Sequence, residues 1–307
     1  VSAGWVAAQV RSQSLASHCL GPAGARELAG AGSLDAALGI LATSSYGERI
    51  HPGLDLAASE HQVFASVLWN LRVLAGWSPA LGASRLRALA STFELMNLQG
   101  DLARIEGHQS AAPFELGSLA SVSSRVAPLT LGELREVLRR SPWGDPGALE
   151  TAGVSIALQF SLARRIGDDV PEALKWAQTY AALVLSRLLL EYGPLDTDSN
   201  SAANARAVLG SRALTATSID ELRDALPRDV ASILEGVRGP DDLWLAEAKW
   251  WTRLWSEAIE RLRRGGAGPE TVVAAVAAQF ADAWRVRMAL EVAARAGRGI
   301  EVLDAVA

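Results

Sequence analysis

Apolar side chains recur at helical spacing in five stretches of the chain. Phe64, Val67, Leu68, Leu71, Leu74 and Ala75 fall on one stripe, and Leu86, Leu89, Ala90, Phe93 and Asn97 continue the pattern in the next helix. Leu174, Ala177, Ala181, Val184 and Leu188 form a third stripe, Trp244, Ala248, Trp251 and Trp255 a fourth, and Val273, Val276, Phe280, Ala283 and Trp284 a fifth. The spacing predicts helices of roughly four to seven turns. Runs that alternate with period two are scarce, so little sheet is expected.

Prolines fall mainly between these stretches, at Pro79, Pro113, Pro128, Pro142, Pro171, Pro194, Pro227, Pro240 and Pro269, where they stop one helix or open the next. Between Gly193 and Ala203 the residues Asp196, Thr197, Asp198, Ser199, Asn200 and Ser201 supply turn formers without an apolar stripe, which predicts a loop or lobe boundary.

An internal repeat underlies the pattern. Ser33-Leu34-Asp35-Ala36-Ala37 aligns with Thr130-Leu131-Gly132-Glu133-Leu134 and with Ser218-Ile219-Asp220-Glu221-Leu222. Each copy opens on a helix N-cap. In the second and third, Glu133 and Glu221 complete a capping box with Thr130 and Ser218. The first two copies stay in register to the end: Ile40-Leu41 matches Val137-Leu138, Ser44 matches Ser141, and Tyr46-Gly47 matches Trp143-Gly144.

Composition agrees with a helical, core-forming chain. Half of the 307 residues are apolar, with Ala and Leu dominant, enough for a substantial core. The net charge of -5 gives no reason to expect a nucleic-acid backbone or an anionic lipid as partner. The single cysteine, Cys19, forms no internal disulfide, is read as structural, and suits a reducing, cytoplasmic compartment. The longest apolar runs are broken by Ser186, Arg187 and Gln279, so no direct membrane span is expected. The first residues lack the long apolar stretch of a signal peptide.

Chemistry-bearing motifs are missing from the sequence. No GxxxxGK[ST] is present to cradle a nucleotide, no HExxH pair or cysteine cluster to hold zinc, and no GxSxG elbow to present a serine nucleophile. His18, His51, His61 and His108 are scattered. The pairs Asp168-Asp169 and Asp241-Asp242 flank Pro171 and Pro240 and read as helix-start acids meeting the dipole, as Arg261, Arg263 and Arg264 read as the basic end of a helix. Ten tryptophans, among them Trp250, Trp251 and Trp255, are expected to pack between helices. No catalytic, metal or cofactor-binding residue is assigned. Asn97, on an apolar stripe, is expected to fix helix register, and Arg287 to pair with a carboxylate from a neighbouring helix.

With the repeat in view, the chain resembles the C-subunit family of V/A-type rotary ATPases, known as the d-subunit family in eukaryotes. The resemblance rests on Ser33-Leu34 through Ala42-Thr43-Ser44-Ser45-Tyr46, and on Phe93-Glu94-Leu95-Met96-Asn97-Leu98-Gln99 ending at Arg104. It also rests on the opening Ala8-Gln9-Val10-Arg11-Ser12 and on Phe114-Glu115-Leu116-Gly117-Ser118-Leu119. Asp282 and Arg287 fit the acidic and basic positions of a third, degenerate copy in which Arg285 replaces Asn, and Gln99 stands where a basic residue is usual.

The resemblance implies an all-α, funnel-like array of three similar lobes about a pseudo-threefold axis, at residues 1–115, 116–203 and 204–307. It implies a non-catalytic central-stalk subunit, present once in a hetero-oligomer. Such a subunit links the rotor shaft to the membrane rotor ring during proton or sodium transport, and is held at the membrane only through the complex. Two other readings are an unrelated α-helical scaffold or adaptor, and an all-α magnesium-dependent prenyl diphosphate enzyme using Asp241 and Asp242.

Overall fold

The computed structural model describes residues 2–122 and 127–296, and these contain helices, turns and loops but no strand. Along the chain run α1 (Ala3–Ser17), α2 (Gly21–Ala29), α3 (Leu34–Leu41), α4 (Leu56–Trp77), α5 (Ala80–Ile105), α6 (Leu131–Arg139) and α7 (Thr151–Asp169). After them come α8 (Leu174–Glu191), α9 (Asn200–Leu209), α10 (Ser211–Leu214), α11 (Ile219–Ala225), α12 (Arg228–Ala231), α13 (Leu243–Arg264) and α14 (Pro269–Ala294). The chain divides into two compact units, Val1–Leu86 with Trp251–Ala307, and Arg87–Trp250. The long helices α5 and α13 carry the chain from one unit to the other.

In the first unit α14 is the central element, and α1, α2, α3 and α4 pack around it. The sequence pattern predicts one apolar stripe on this helix, yet its buried residues run round the whole circumference from Thr271 to Ala293. Its composition explains this. Ala274, Ala275, Ala277, Ala278, Ala281 and Ala283 present no bulk, so neighbouring helices approach on every side, and a helix apolar all round belongs inside. Pro269 opens it at a position where no amide partner is needed.

In the second unit α7 packs on α8 and α9, and α8 also meets α11 and α12. Phe160, Ala181, Leu185, Leu188, Ala202, Ala205 and Leu209 form one apolar cluster there. A second joins Leu95 and Leu98 of α5 to Leu134 and Leu138 of α6 and Val154 and Leu158 of α7. The span expected to be a loop ends earlier than its turn formers suggest: the Ser199 hydroxyl accepts from the Ala202 amide and starts α9 at Asn200. Residue 203, the expected lobe boundary, therefore lies inside a helix whose Ala202, Ala205, Val208 and Leu209 are buried.

The five predicted helices are present as α4, α5, α8, α13 and α14. Within α13 the expected stripe shifts: Ala248 is buried as expected, but Trp244 is exposed, and Leu243, Ala246, Leu254 and Ala258 are buried as well. Trp251 stacks on Trp284 with ring centroids 5.6 Å apart, and Trp250 lies tilted against Tyr180 at 5.9 Å, so these two tryptophans do pack between helices. Among the described residues, no helix is long and apolar enough to cross a membrane.

Candidate functional site

The repeat read from the sequence reappears atom by atom in two turns. In the first copy, Ser33 caps α3 by accepting from the Ala36 amide at 3.2 Å. At the far end of that helix the Ser44 hydroxyl donates to the Leu41 carbonyl at 2.7 Å and accepts from the Tyr46 amide at 3.2 Å. In the second copy, Thr130 caps α6 by accepting from the Glu133 amide at 3.2 Å. The Ser141 hydroxyl then donates to the Leu138 carbonyl at 2.8 Å and accepts from the Trp143 amide at 3.2 Å. Serine hydroxyls that mimic a turn in this way set the aromatic residue's direction. In the first turn a Cβ on Gly47 would collide with the Ala42 carbonyl oxygen, so only glycine fits there.

Each aromatic residue is aimed at a buried acid. The Tyr46 hydroxyl donates to Asp282 Oδ2 at 2.9 Å, and the same carboxylate accepts from the Leu20 amide at 3.0 Å and the Gly21 amide at 2.7 Å. In the second unit Trp143 Nε1 donates to Glu94 Oε2 at 3.0 Å. Glu94 also accepts from the amides of Ser121 and Val122 and from the Ser121 hydroxyl. The design is common to both: one carboxylate gathers two consecutive backbone amides and one aromatic N–H or O–H. We call each arrangement a clasp.

A buried arginine completes each clasp. Arg285, one turn beyond Asp282, lies over the Trp255 ring at 5.0 Å. Arg165 of α7 lies over Trp143 at 4.6 Å, donates to the Ser121 hydroxyl at 3.0 Å and stands 3.7 Å from Glu94. These cations offset the cost of burying the acids. Burial still pushes the Asp282 carboxyl above its ordinary value, against the amides of Gly21 and Leu20, Tyr46 and Arg285, which favour its ionised form. Burial likewise lowers Arg285 to about 10 and pulls Arg165 below its usual value, opposed in the first by Asp282 and Cys19 and in the second chiefly by Glu94.

The sequence pattern placed Glu94 and Asn97 with the first lobe and Asp282 and Arg287 with the third. In space Glu94 holds the Thr130–Trp143 copy, whereas Asp282 holds the Ser33–Tyr46 copy. The acid is thus never adjacent in sequence to the module that it grips. Asn97 does not set the register of a neighbouring helix as expected; it holds the non-helical segment at Phe114, its side-chain amide donating to the Phe114 carbonyl at 2.9 Å and its amide oxygen accepting from the Phe114 amide at 2.7 Å. Arg287 pairs with Glu60 of α4 at 3.5 Å and with Glu291 of its own helix at 3.0 Å.

The third copy keeps the cap and lacks the clasp. The Glu221 amide donates to the Ser218 hydroxyl at 3.2 Å, and its carboxylate accepts from the Thr217 amide at 2.8 Å, matching Glu133, which accepts from the Leu129 amide at 2.8 Å. The residue at the spacing of Tyr46 and Trp143 is Ala231. Ile219, Ile233 and Val237 make an apolar cluster there with Leu183 of α8.

Arg165, Ser121, Leu20 and Gly21 carry no sequence signal of their own. The equal spacing of Tyr46 and Trp143 from their caps, and the resemblance that singled out Glu94 and Asp282, pointed toward this site without pairing its members.

Chemically, the clasps hold one part of the chain to another. Asp282 is fully enclosed, and Glu94, nearly so, borders a cavity of about 320 Å³ lined also by Asn97, Phe114 and Leu134; each carboxylate accepts from at least three donors. Asp242 accepts from the Arg238 and Gly239 amides and caps the turn before α13, in keeping with the helix-start reading. Asp168 does not start a helix: it lies near the C-terminal end of α7, paired with Arg164, because Pro171 opens the following turn rather than this helix. Among the described residues, no group of three or more His, Cys, Asp or Glu side chains converges as a metal site would require. Cys19 receives a hydrogen bond from Gln279 at 3.2 Å, and burial raises its thiol to about 12, so it is protonated at neutral pH and a poor nucleophile. Neither a protein-family model nor a curated protein matches the chain.

Proposed function

We propose that the chain is a non-catalytic coupling subunit of a rotary ATPase, similar to the central-stalk C-subunit family of the V/A type. Its helical modules sit between the rotor shaft and the membrane rotor ring and pass torque from one to the other. The observation that carries this reading is the repeated clasp, in which buried carboxylates tie distant parts of the chain together. Torque transmission needs stiffness under twisting, and close-packed helices with satisfied polar cross-links supply it. The third, apolar copy fits a three-lobed funnel with two polar clasps and one hydrophobic joint.

The test is affinity capture from native membranes with the tagged chain, followed by mass-spectrometric identification of what it holds. Shaft and ring subunits of one rotary ATPase are expected, together with ATP hydrolysis by the captured material that the isolated chain lacks. Capture without any rotary ATPase subunit refutes the assignment and leaves a general helical scaffold. Magnesium-dependent consumption of a prenyl diphosphate, lost on Asp241→Asn/Asp242→Asn, refutes it in favour of an enzyme.

A further inference from the structure

The net charge of -5 conceals a sharp segregation along the chain. No acidic residue occurs from Val1 to Arg26 or from His61 to Phe93, while Arg11, Arg26, Arg72, Arg85 and Arg87 do. The two acid-free stretches supply α1 and most of α4, and these helices pack together in the first unit. Their outer sides are apolar as well as basic. Trp69 is 49% exposed and Trp77 59% exposed, and Val6 and Val10 are also solvent-facing. The Arg72 guanidinium sits over the Trp69 ring at 5.8 Å, and Arg11 is exposed one residue beyond Val10.

Isolated exposed apolar residues need no explanation, but two half-exposed tryptophans on one helix, one of them under an arginine, and two exposed valines on the helix packed against it are a different matter. An indole has an apolar body and one N–H, so it suits the boundary between hydrocarbon and headgroups, and an arginine reaches past it to a phosphate. We propose that the outer face of α1 and α4 docks on the surface of an anionic bilayer, with Trp69, Trp77, Val6 and Val10 entering the headgroup layer and Arg11 and Arg72 meeting lipid phosphates. The absence of acids from these stretches is what makes the face complementary to such a surface in an otherwise acidic chain. The docking adds a direct lipid anchor that the coupling reading does not require, so either can fail alone.

The experiment is co-sedimentation of the whole purified chain with vesicles of phosphatidylglycerol and phosphatidylcholine, against vesicles of phosphatidylcholine only. Binding to the anionic vesicles, weakened by salt, is expected. Arg11→Gln and Arg72→Gln should each weaken it about fivefold, because one lipid phosphate then goes without its cation. Trp69→Ala/Trp77→Ala should abolish what salt leaves, with helical content by circular dichroism unchanged because both side chains are on the surface. Equal retention on both vesicle types, no binding to either, or native binding by all the variants overturns the proposal. The capture experiment above reports on rotary ATPase partners and does not depend on these outcomes.

Discussion

Replacing Tyr46 by Phe isolates one bond of the first clasp. The ring is buried, so Phe keeps its packing and loses only the hydroxyl that donates to Asp282 at 2.9 Å. A hydrogen bond to a charged acceptor contributes about 1.5–3 kcal/mol. Asp282 would keep the amides of Leu20 and Gly21, so the carboxylate is not orphaned and the middle of that range, about 2 kcal/mol, is expected. That is roughly a thirtyfold change in the folded-to-unfolded ratio. Asp282→Ala instead strands two amides and a phenol inside the protein and should cost about 3–5 kcal/mol. The double variant should then cost clearly less than the sum, by about 1–2 kcal/mol, because the two changes delete one shared bond. Urea denaturation followed by circular dichroism measures all three, through the shift of midpoint at constant slope. A Tyr46→Phe protein within about 0.5 kcal/mol of the native one, or strict additivity in the cycle, would refute the clasp as an energetic unit.

Two further expectations concern the same region. Gly47→Ala places a methyl against the Ala42 carbonyl and should destabilise by about 3 kcal/mol, the upper end of overpacking, which thermal unfolding will register; a neutral substitution would show that the turn relaxes freely. Burial, reinforced by Asp282, raises the Cys19 thiol from its ordinary 9.0 to about 12, so the native state keeps a proton that the unfolded chain releases. The associated stability is complete below pH 9.0 and is lost as pH climbs toward about 12; Cys19→Ala should flatten that alkaline decline, and an unchanged profile would remove the thiol from the account.

The helical class was legible because α4, α5, α8, α13 and α14 each carry an apolar period that no strand could satisfy. The repeat was legible for a local reason: caps and serine turns are made within a few residues, so equal spacing means equal geometry. The start of α9 was obscured because Ser199 serves both as a turn former and as an N-cap, and the letters alone do not separate the two roles. Tyr46, Trp143, Glu94 and Asp282 were each singled out, but their pairing was illegible for the opposite reason. Asp282 and Tyr46 are 236 positions apart, and Glu94 and Trp143 are 49 apart, so no window along the chain contains both halves. The burial of Arg165 and Arg285 was equally hidden, since an arginine on a helix is more often solvated than laid over an indole.

The distance from Tyr46 to Asp282 has a consequence during synthesis. At ribosomal speeds of about 5–20 residues per second, the 236 positions between them take roughly 10–50 s to translate. Throughout that interval the nascent α2 and α3 pair has neither its acid nor the alanine-rich pillar against which it will pack. The first unit must therefore mature after its own beginning has long emerged, and a chain arrested before α14 exposes that unfinished surface to chaperones and proteases.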